Sequence, residues 1–465
     1  MNIRKGHEIE LIVDRTAHGG QGVARVDGFV VFVKGGVPGD RVLARVFRKK
    51  KGYAEAGVLE VLAPSPDRID PACPYSGMCG GCQWQHIRYE AQLRYKRSHV
   101  REALERIGGL EGVPVRETLP SEKIFGYRNK MEFSFSDRRW LLPEELEDPS
   151  AGQRDFALGL HAPGTFNRIL DVEACNIQPP LGNEILGAVR AYAMASGLPP
   201  YGFKTHEGFW RFCMLRHSTA EDAWMVNIIT SEDRPDAVRP LSRDLAARFP
   251  QVRTVVNNIT SRQAAVAFGE AEVVYAGEGF LKESLGPHTF QISANSFFQT
   301  NTGGAETLYR VVEEYAGLTG RETVLDLYCG TGTIGIFLSG RAVRVLGAEI
   351  VESSVEDARK NAARNGIDNC SFTAGDLRET LSRLHMDADV MIVDPPRAGV
   401  HKDILKGILK KGCGRIVYVS CNPATLARDL AEMSEMYDIL EIQPVDLFPH
   451  TYHVESVARL VRKGD

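Results

Sequence analysis

The residues with the clearest chemical potential lie near the C-terminus. The run Ile416-Val417-Tyr418-Val419-Ser420-Cys421-Asn422-Pro423 carries a cysteine just past an apolar stretch. The run Phe448-Pro449-His450-Thr451-Tyr452-His453-Val454-Glu455-Ser456 offers a carboxylate and two histidines. A thiolate is a strong nucleophile, and a placed carboxylate can act as a general base. Methylation at C5 of uracil, itself a weak nucleophile, needs both. Addition of Cys421 to C6 would turn the ring into an enolate able to attack a methyl sulfonium. A general base, for which this run offers Glu455, His450 and His453, would then take the C5 proton so that the thiol can leave. The plain alternatives are a buried packing cysteine and a solvated strand end.

A second constellation lies upstream. Val324-Leu325-Asp326-Leu327-Tyr328-Cys329-Gly330-Thr331-Gly332-Thr333-Ile334-Gly335 reads as a strand, a glycine-rich turn and a helix start. Gly330, Gly332 and Gly335 satisfy G-x-G-x-x-G, and Glu349 ends the next strand, in position to bind ribose hydroxyls. Alone, this pattern fits NAD, S-adenosylmethionine or a plain tight turn. Asp376 closes a third strand and Asp394-Pro395-Pro396-Arg397 a fourth. The carboxyl ends of such strands line one crevice where ligands bind, so Asp376 and Asp394 are candidate cofactor contacts. The proline pair removes two backbone donors and stiffens the loop. That suits positioning of a substrate base and is of no use to a dehydrogenase, which favours S-adenosylmethionine.

The nine cysteines form an odd set with uneven spacing, which argues for metal binding or catalysis rather than a disulfide framework. Cys73, Cys79 and Cys82 sit in a glycine-rich segment, with Cys175 far downstream. Four thiolates fit either zinc or an iron–sulfur cluster. Cys213, Cys329, Cys370 and Cys413 read as packing residues.

The elements that must position these groups follow from periodicity. After Gly320, apolar strands alternate with helices: Thr323–Tyr328, Arg344–Glu349, Cys370–Thr373, Val390–Val393 and Arg415–Ser420. This is the signature of a doubly wound parallel sheet, an α/β fold. Residues 8–62 read as five short strands, Glu8–Val13, Gly22–Val26, Phe29–Val33, Arg41–Phe47 and Val58–Leu62, a small OB-like β-barrel. A helix is expected over His86–Ile107, stopped by Gly108-Gly109. The middle mixes strands such as Lys130–Ser136, Ala223–Thr230 and Thr254–Ile259 with helices such as Glu184–Ala195, an α+β pattern. At 465 residues the chain exceeds one ordinary core. Three domains are expected: a barrel over 1–65, a central α+β domain with the cysteine cluster over 66–292, and a Rossmann-like domain over 293–465.

The net charge of −4 gives no global sign of a nucleic-acid partner. Residues 1–64, however, hold eleven Lys/Arg against seven Asp/Glu, a local excess of four. Arg48-Lys49-Lys50-Lys51 and the helix with Arg94, Lys96, Arg97 and Arg101 could hold phosphates, though a solvated face explains them too. Phe29, Phe32 and Tyr53 could stack bases or simply pack. No stretch approaches the roughly 18 apolar residues of a membrane span, and the N-terminus turns polar at once. A cytoplasmic protein with no membrane partner is expected.

Taken together, Asp394-Pro395-Pro396-Arg397, Ser420-Cys421-Asn422-Pro423 and His453-Val454-Glu455-Ser456 resemble the ordered motifs of RNA (uracil-5-)-methyltransferases. The likeness is to the RumA type acting on 23S ribosomal RNA, and it covers nearly the whole chain, because residues 8–62 resemble that group's TRAM domain. It implies that Cys421 is the nucleophile and Glu455 the base. It implies that Gln299, Tyr328, Glu349 and Asp394 contact S-adenosylmethionine. It further implies a [4Fe-4S] cluster on Cys73, Cys79, Cys82 and Cys175, with a folding or RNA-positioning role, and a monomer acting on 23S ribosomal RNA. The same chemistry on transfer RNA is the alternative. An amino-group methyltransferase would usually carry an aromatic residue where this chain has Arg397. An iron–sulfur RNA-binding protein without methyltransferase activity would not need both Cys421 and Glu455.

Overall fold

A computed structural model describes residues 3–146, 154–264, 266–383 and 387–464. The N-terminal strands are β1 (Glu8–Ile12), β2 (Arg15–Thr16), β3 (Gly22–Val26), β4 (Phe29–Lys34), β5 (Arg41–Lys49) and β6 (Tyr53–Ala63). Alternate residues of β1 and β5 are buried, the period of two that a half-solvated strand requires. The six strands lie in the order β1-β5-β6-β4-β3-β2. A bond from Asp14 N–H to Val23 C=O (2.7 Å) ties the end of β1 back to β3. This is one strand more than expected, because the two residues of β2 are too few to show alternation. Asp40, fully buried, fastens the following linker. It accepts from Val37 N (2.7 Å), Ser65 N (2.8 Å) and Arg68 Nη2 (2.6 Å).

Helix α1 (Tyr89–Ala103) continues into one π-turn, Leu104–Gly108, and stops at left-handed Gly109. A Cβ at Gly108 would lie 2.8 Å from Ala427 O, so glycine there permits close approach to the helix Pro423–Met433. The basic stripe expected of α1 needs correction. Lys96 is fully buried and bonded to the equally buried Asp446 at 2.5 Å, so it cannot hold a phosphate. Arg94 pairs with Asp67 at 2.8 Å.

The central sheet is β7 (Lys130–Ser136), β8 (Ala157–His161), β9 (Ile169–Asp171), β10 (Trp210–Ser218), β11 (Ala223–Thr230), β12 (Val252–Ile259) and β13 (Ala271–Ala276). Its order is β13-β12-β11-β10-β7-β8-β9. The helices Pro180–Ala195 and Pro235–Arg248 bury Leu186, Val189, Val238 and Leu245 in one core with the sheet residues Phe133, Leu215 and Val226. A hairpin, β14 (Phe280–Leu285) and β15 (His288–Ser293), bridges this sheet to the next. Lys282 C=O accepts from Ser218 Oγ, and Thr289 N donates to Asn365 Oδ1 at 2.9 Å.

The last sheet holds β16 (Thr323–Leu327), β17 (Arg344–Glu349), β18 (Cys370–Ala374), β19 (Val390–Val393), β20 (Arg415–Ser420), β21 (Tyr437–Val445) and β22 (Glu455–Arg462). Its order is β18-β17-β16-β19-β20-β22-β21, parallel through β20. All four residues of β19 are buried, as expected of a parallel strand covered on both faces. The chain leaves β16 first toward β18 and later toward β20, so the order reverses between β16 and β19. That reversal opens the crevice in which such sheets bind ligands. Among the described residues, no helix is long and apolar enough to cross a membrane.

Candidate active site

At the carboxyl end of β16, Tyr328 takes a left-handed backbone (φ 61°), uncommon for an aromatic residue and a marker of an imposed turn. Gly332 follows at φ 77°. A Cβ there would meet the Phe372 ring and Ala358 at 2.9 Å, so only glycine fits. The helix Thr333–Leu338 starts at this turn. Glu349, ending β17, accepts from Gly330 N (3.2 Å) and Val351 N (2.9 Å). Two backbone donors therefore fix its carboxylate beside the turn.

Asp326 is a residue that sequence reasoning did not single out. It is fully buried within β16, and its Oδ2 accepts from Gly335 N at 3.0 Å. Its Oδ1 has no partner among the described residues. Burial, then the neighbouring Asp394, pushes this carboxyl up to about 8, because both disfavour its charged form. A lone carboxylate inside the apolar run Val324–Leu327 was the available signal.

The loop after β19 is stitched to the helix after β20. Asn422 caps the helix Pro423–Met433 by accepting from Ala424 N (3.1 Å), and its Nδ2 donates to Arg397 O (3.0 Å). Asp429 accepts from Val400 N (2.8 Å) and Tyr418 OH (2.6 Å). These bonds set Asp394 and Cys421 in fixed relation. On the other side of β20, the ladder pairs Ser420 with Ser456, which brings Glu455 to the cysteine. Burial, then Glu455, pushes the Cys421 thiol up to about 11, against the opposing pull of Arg397. Burial, then Asp394, raises the Glu455 carboxyl to about 8.

One cavity of about 990 Å³ takes in Gln299, Tyr328, Gly330, Glu349, Asp394, Arg397, Cys421, His453 and Glu455. The sequence reading drew these from six separate segments. Asp376 does not line it. Its carboxylate is engaged by Arg378, whose Nε lies 3.0 Å from both oxygens, and that partner holds it down at about 2. His450 is also absent from the wall. It turns the loop at φ 67°, stacks on Phe125 with centroids 4.4 Å apart, and donates its N–H to Gln92 Oε1 at 2.8 Å.

The same cavity is also lined by Cys73, Cys79, Cys82 and Cys175. Although these residues lie outside the parallel sheet, they share its cleft. Burial pushes the Cys79 thiol up to about 12 and the Cys82 thiol to about 11, and the other thiols of the set add to both shifts. All nine cysteines are free. Among the described residues, no three or more His, Cys, Asp or Glu groups are gathered tightly enough to hold a single metal ion. Cys213 and Cys413 are buried in the core, as expected of packing residues, and so is Cys329 in the turn after β16.

Residues 280–463 match the family model of tRNA (uracil-5-)-methyltransferases, and residues 4–59 match the TRAM domain. An RNA methyltransferase of Chlorobaculum tepidum is 45% identical, with 98% of this chain and 96% of the relative covered. One of Porphyromonas gingivalis is 41% identical over 98% of this chain and 100% of its own. A crystal structure of the Pyrococcus abyssi tRNA (uracil-54, C5)-methyltransferase with S-adenosyl-L-homocysteine superposes with a TM-score of 0.75 and 31% identity. That match covers 97% of this chain and 100% of the other. This chain belongs to the RNA (uracil-5-)-methyltransferase family of S-adenosylmethionine-dependent enzymes and carries a TRAM domain.

Proposed function

We propose that this protein methylates C5 of a specific uridine in 23S ribosomal RNA through a covalent bond between Cys421 and C6. The observation that carries this reading is the meeting of Cys421 and Glu455 at one wall of the cavity. Gln299, Tyr328, Glu349 and Asp394 hold S-adenosylmethionine, with the Glu349 carboxylate on the ribose hydroxyls. The Cys421 thiol loses its proton to solvent, the thiolate sulfur bonds to C6, and the electron pair of the C5–C6 double bond moves into the ring as an enolate. C5 then displaces the methyl group from the sulfonium, leaving a neutral thioether product of the donor. Glu455 takes the C5 proton, the C5–C6 double bond re-forms, and the thiolate leaves. Asp394 keeps the Glu455 carboxyl basic enough for this step.

The four cysteines that line the cavity hold a [4Fe-4S] cluster in this reading. Their donor set fits: four soft sulfurs lining one cavity, partly or fully buried and free of disulfides. Such a cluster spreads its thiolates over four irons, whereas one zinc ion draws them to a single point. Cys73, Cys79, Cys82 and Cys175 would hold such a cluster, which when bound would tie the segment around Cys73–Cys82 to Cys175 beside the cleft. Nine free cysteines also suit a reducing cytoplasm.

The 23S assignment rests on the motif resemblance together with the TRAM domain. The Pyrococcus abyssi neighbour, an enzyme of transfer RNA, favours a second reading with the same chemistry on that substrate. Mapping 5-methyluridine in ribosomal and transfer RNA from cells lacking this gene distinguishes them. Loss of one or more 23S sites is expected. Loss confined to transfer RNA would transfer the assignment, and no loss in either would sink it.

A further inference from the structure

The barrel reaches the catalytic wall through the turn between β2 and β3. The turn is tight, with Gly20 N–H bonded to Ala17 C=O at 3.0 Å. This turn is seated on the segment that also holds the catalytic loop. Trp84 Nε1 donates to Gly20 O at 3.0 Å, while Gln83 N and Trp84 N donate to His450 O at 3.0 and 2.9 Å. A Cβ at Gly20 would meet the Tyr452 ring at 3.1 Å. Thr16 Oγ1, at the other end of the turn, bonds His99 Nε2 at 2.9 Å.

At the tip stands His18, solvent-exposed. Its ring is edge-on to Tyr452, with centroids 5.4 Å apart, and Tyr452 in turn lies 4.3 Å from the His453 ring on the cavity wall. Arg397, also exposed and on that wall, makes no side-chain hydrogen bond or ion pair among the described residues. Resting on the RNA reading above, we propose that His18, Arg397 and His453 together grip a backbone phosphate next to the target uridine. In this arrangement the TRAM barrel completes the catalytic pocket as well as adding outer RNA contacts.

Three observations converge. The uracil ring must lie inward at Cys421, so the ribose-phosphate chain passes the mouth where these side chains stand. Their chemistry is that of anion donors: one guanidinium fork and two imidazoles. Arg397 also stands close enough to act on both rings: burial, then Arg397, lowers His453 to about 4, and partial burial, then Arg397, lowers His18. A guanidinium without an ion-pair partner, flanked by neutral imidazole N–H donors, suits an anion that arrives with the substrate.

The test uses the full-length protein and total RNA from cells lacking this gene as methyl acceptor. His18→Ala is expected to raise the acceptor concentration for half-maximal rate at least fivefold, with a smaller change in kcat and no change in the KM for S-adenosylmethionine. His18→Phe keeps a ring against Tyr452 but has no donor, and should match the alanine variant. His18→Arg should recover most of the loss. Filter-binding of the same RNA, which needs no turnover, should rank the variants in the same order. Full recovery by His18→Phe, or unaltered KM and binding in His18→Ala, would overturn the proposal. A wild-type protein that binds this RNA in that rank order but methylates no uridine would overturn the catalytic reading and leave the phosphate grip standing.

Discussion

Ser420 pairs with Ser456 in the last rung of the antiparallel ladder of β20 and β22, so Cys421, just past one strand, comes beside Glu455, the first residue of the other. A nucleophile and a base so placed can act in turn on adjacent carbons of one ring.

That placement predicts a trapped intermediate. RNA carrying 5-fluorouridine at the target should form a protein–RNA adduct that survives denaturing electrophoresis and requires S-adenosylmethionine, because fluorine cannot leave as a proton. Cys421→Ala should abolish adduct and activity together. Glu455→Gln keeps the nucleophile, so ordinary RNA should accumulate as a slowly resolving adduct. Methylation by Cys421→Ala at a comparable rate would reduce this cysteine to a packing residue.

The raised carboxyl of Glu455 predicts the pH dependence. Only its ionised form accepts a proton, so the single-turnover rate should climb with pH and level off above about 8, where burial and Asp394 set its titration. Removing the like charge in Asp394→Asn should shift that inflection to lower pH at saturating S-adenosylmethionine and RNA. An inflection that stays in place would show that another group limits the rate.

The cysteine lining of the cavity predicts colour. Protein purified without oxygen should be brown and carry about four iron and four sulfide per chain, one iron for each of the four thiolates. Cys175→Ser should lose both. Stoichiometric zinc without iron would replace the cluster with a structural zinc site.

Asp40 predicts a barrel that is sensitive to acid. Burial alone would raise its carboxyl, yet Arg68 and the N–H groups of Ser65 and Val37 outweigh that and hold it below its ordinary value of 3.8. Its stabilisation is therefore fully present above that ordinary value and is lost as pH falls through the lower, folded one. Asp40→Ala leaves Arg68 and two amides without their partner and should cost about 3 kcal/mol. Urea denaturation at pH 7 measures this, and a loss below about 1 kcal/mol would contradict the assignment.

Local order was legible in the residues themselves. Lys130–Ser136, Arg344–Glu349, Val390–Val393 and Arg415–Ser420 are strands with the bounds that their apolar runs predict, because burial on one or both faces imposes a period visible within a few residues. The glycine turn before Thr333 and the cysteine beyond β20 were likewise marked by residue type. What depends on partners distant in sequence was not legible. Lys96 looked like one more surface cation until Asp446, 350 residues away, took it into the interior. Asp376 had the right strand end, but its carboxylate is paired with Arg378 and does not line the cavity. The order of the strands, the union of two cysteine-bearing regions in one cavity, and the reach of His18 to the catalytic wall were decided only when the sheets packed. Each depends on long-range contacts whose free energy no short stretch of chain encodes.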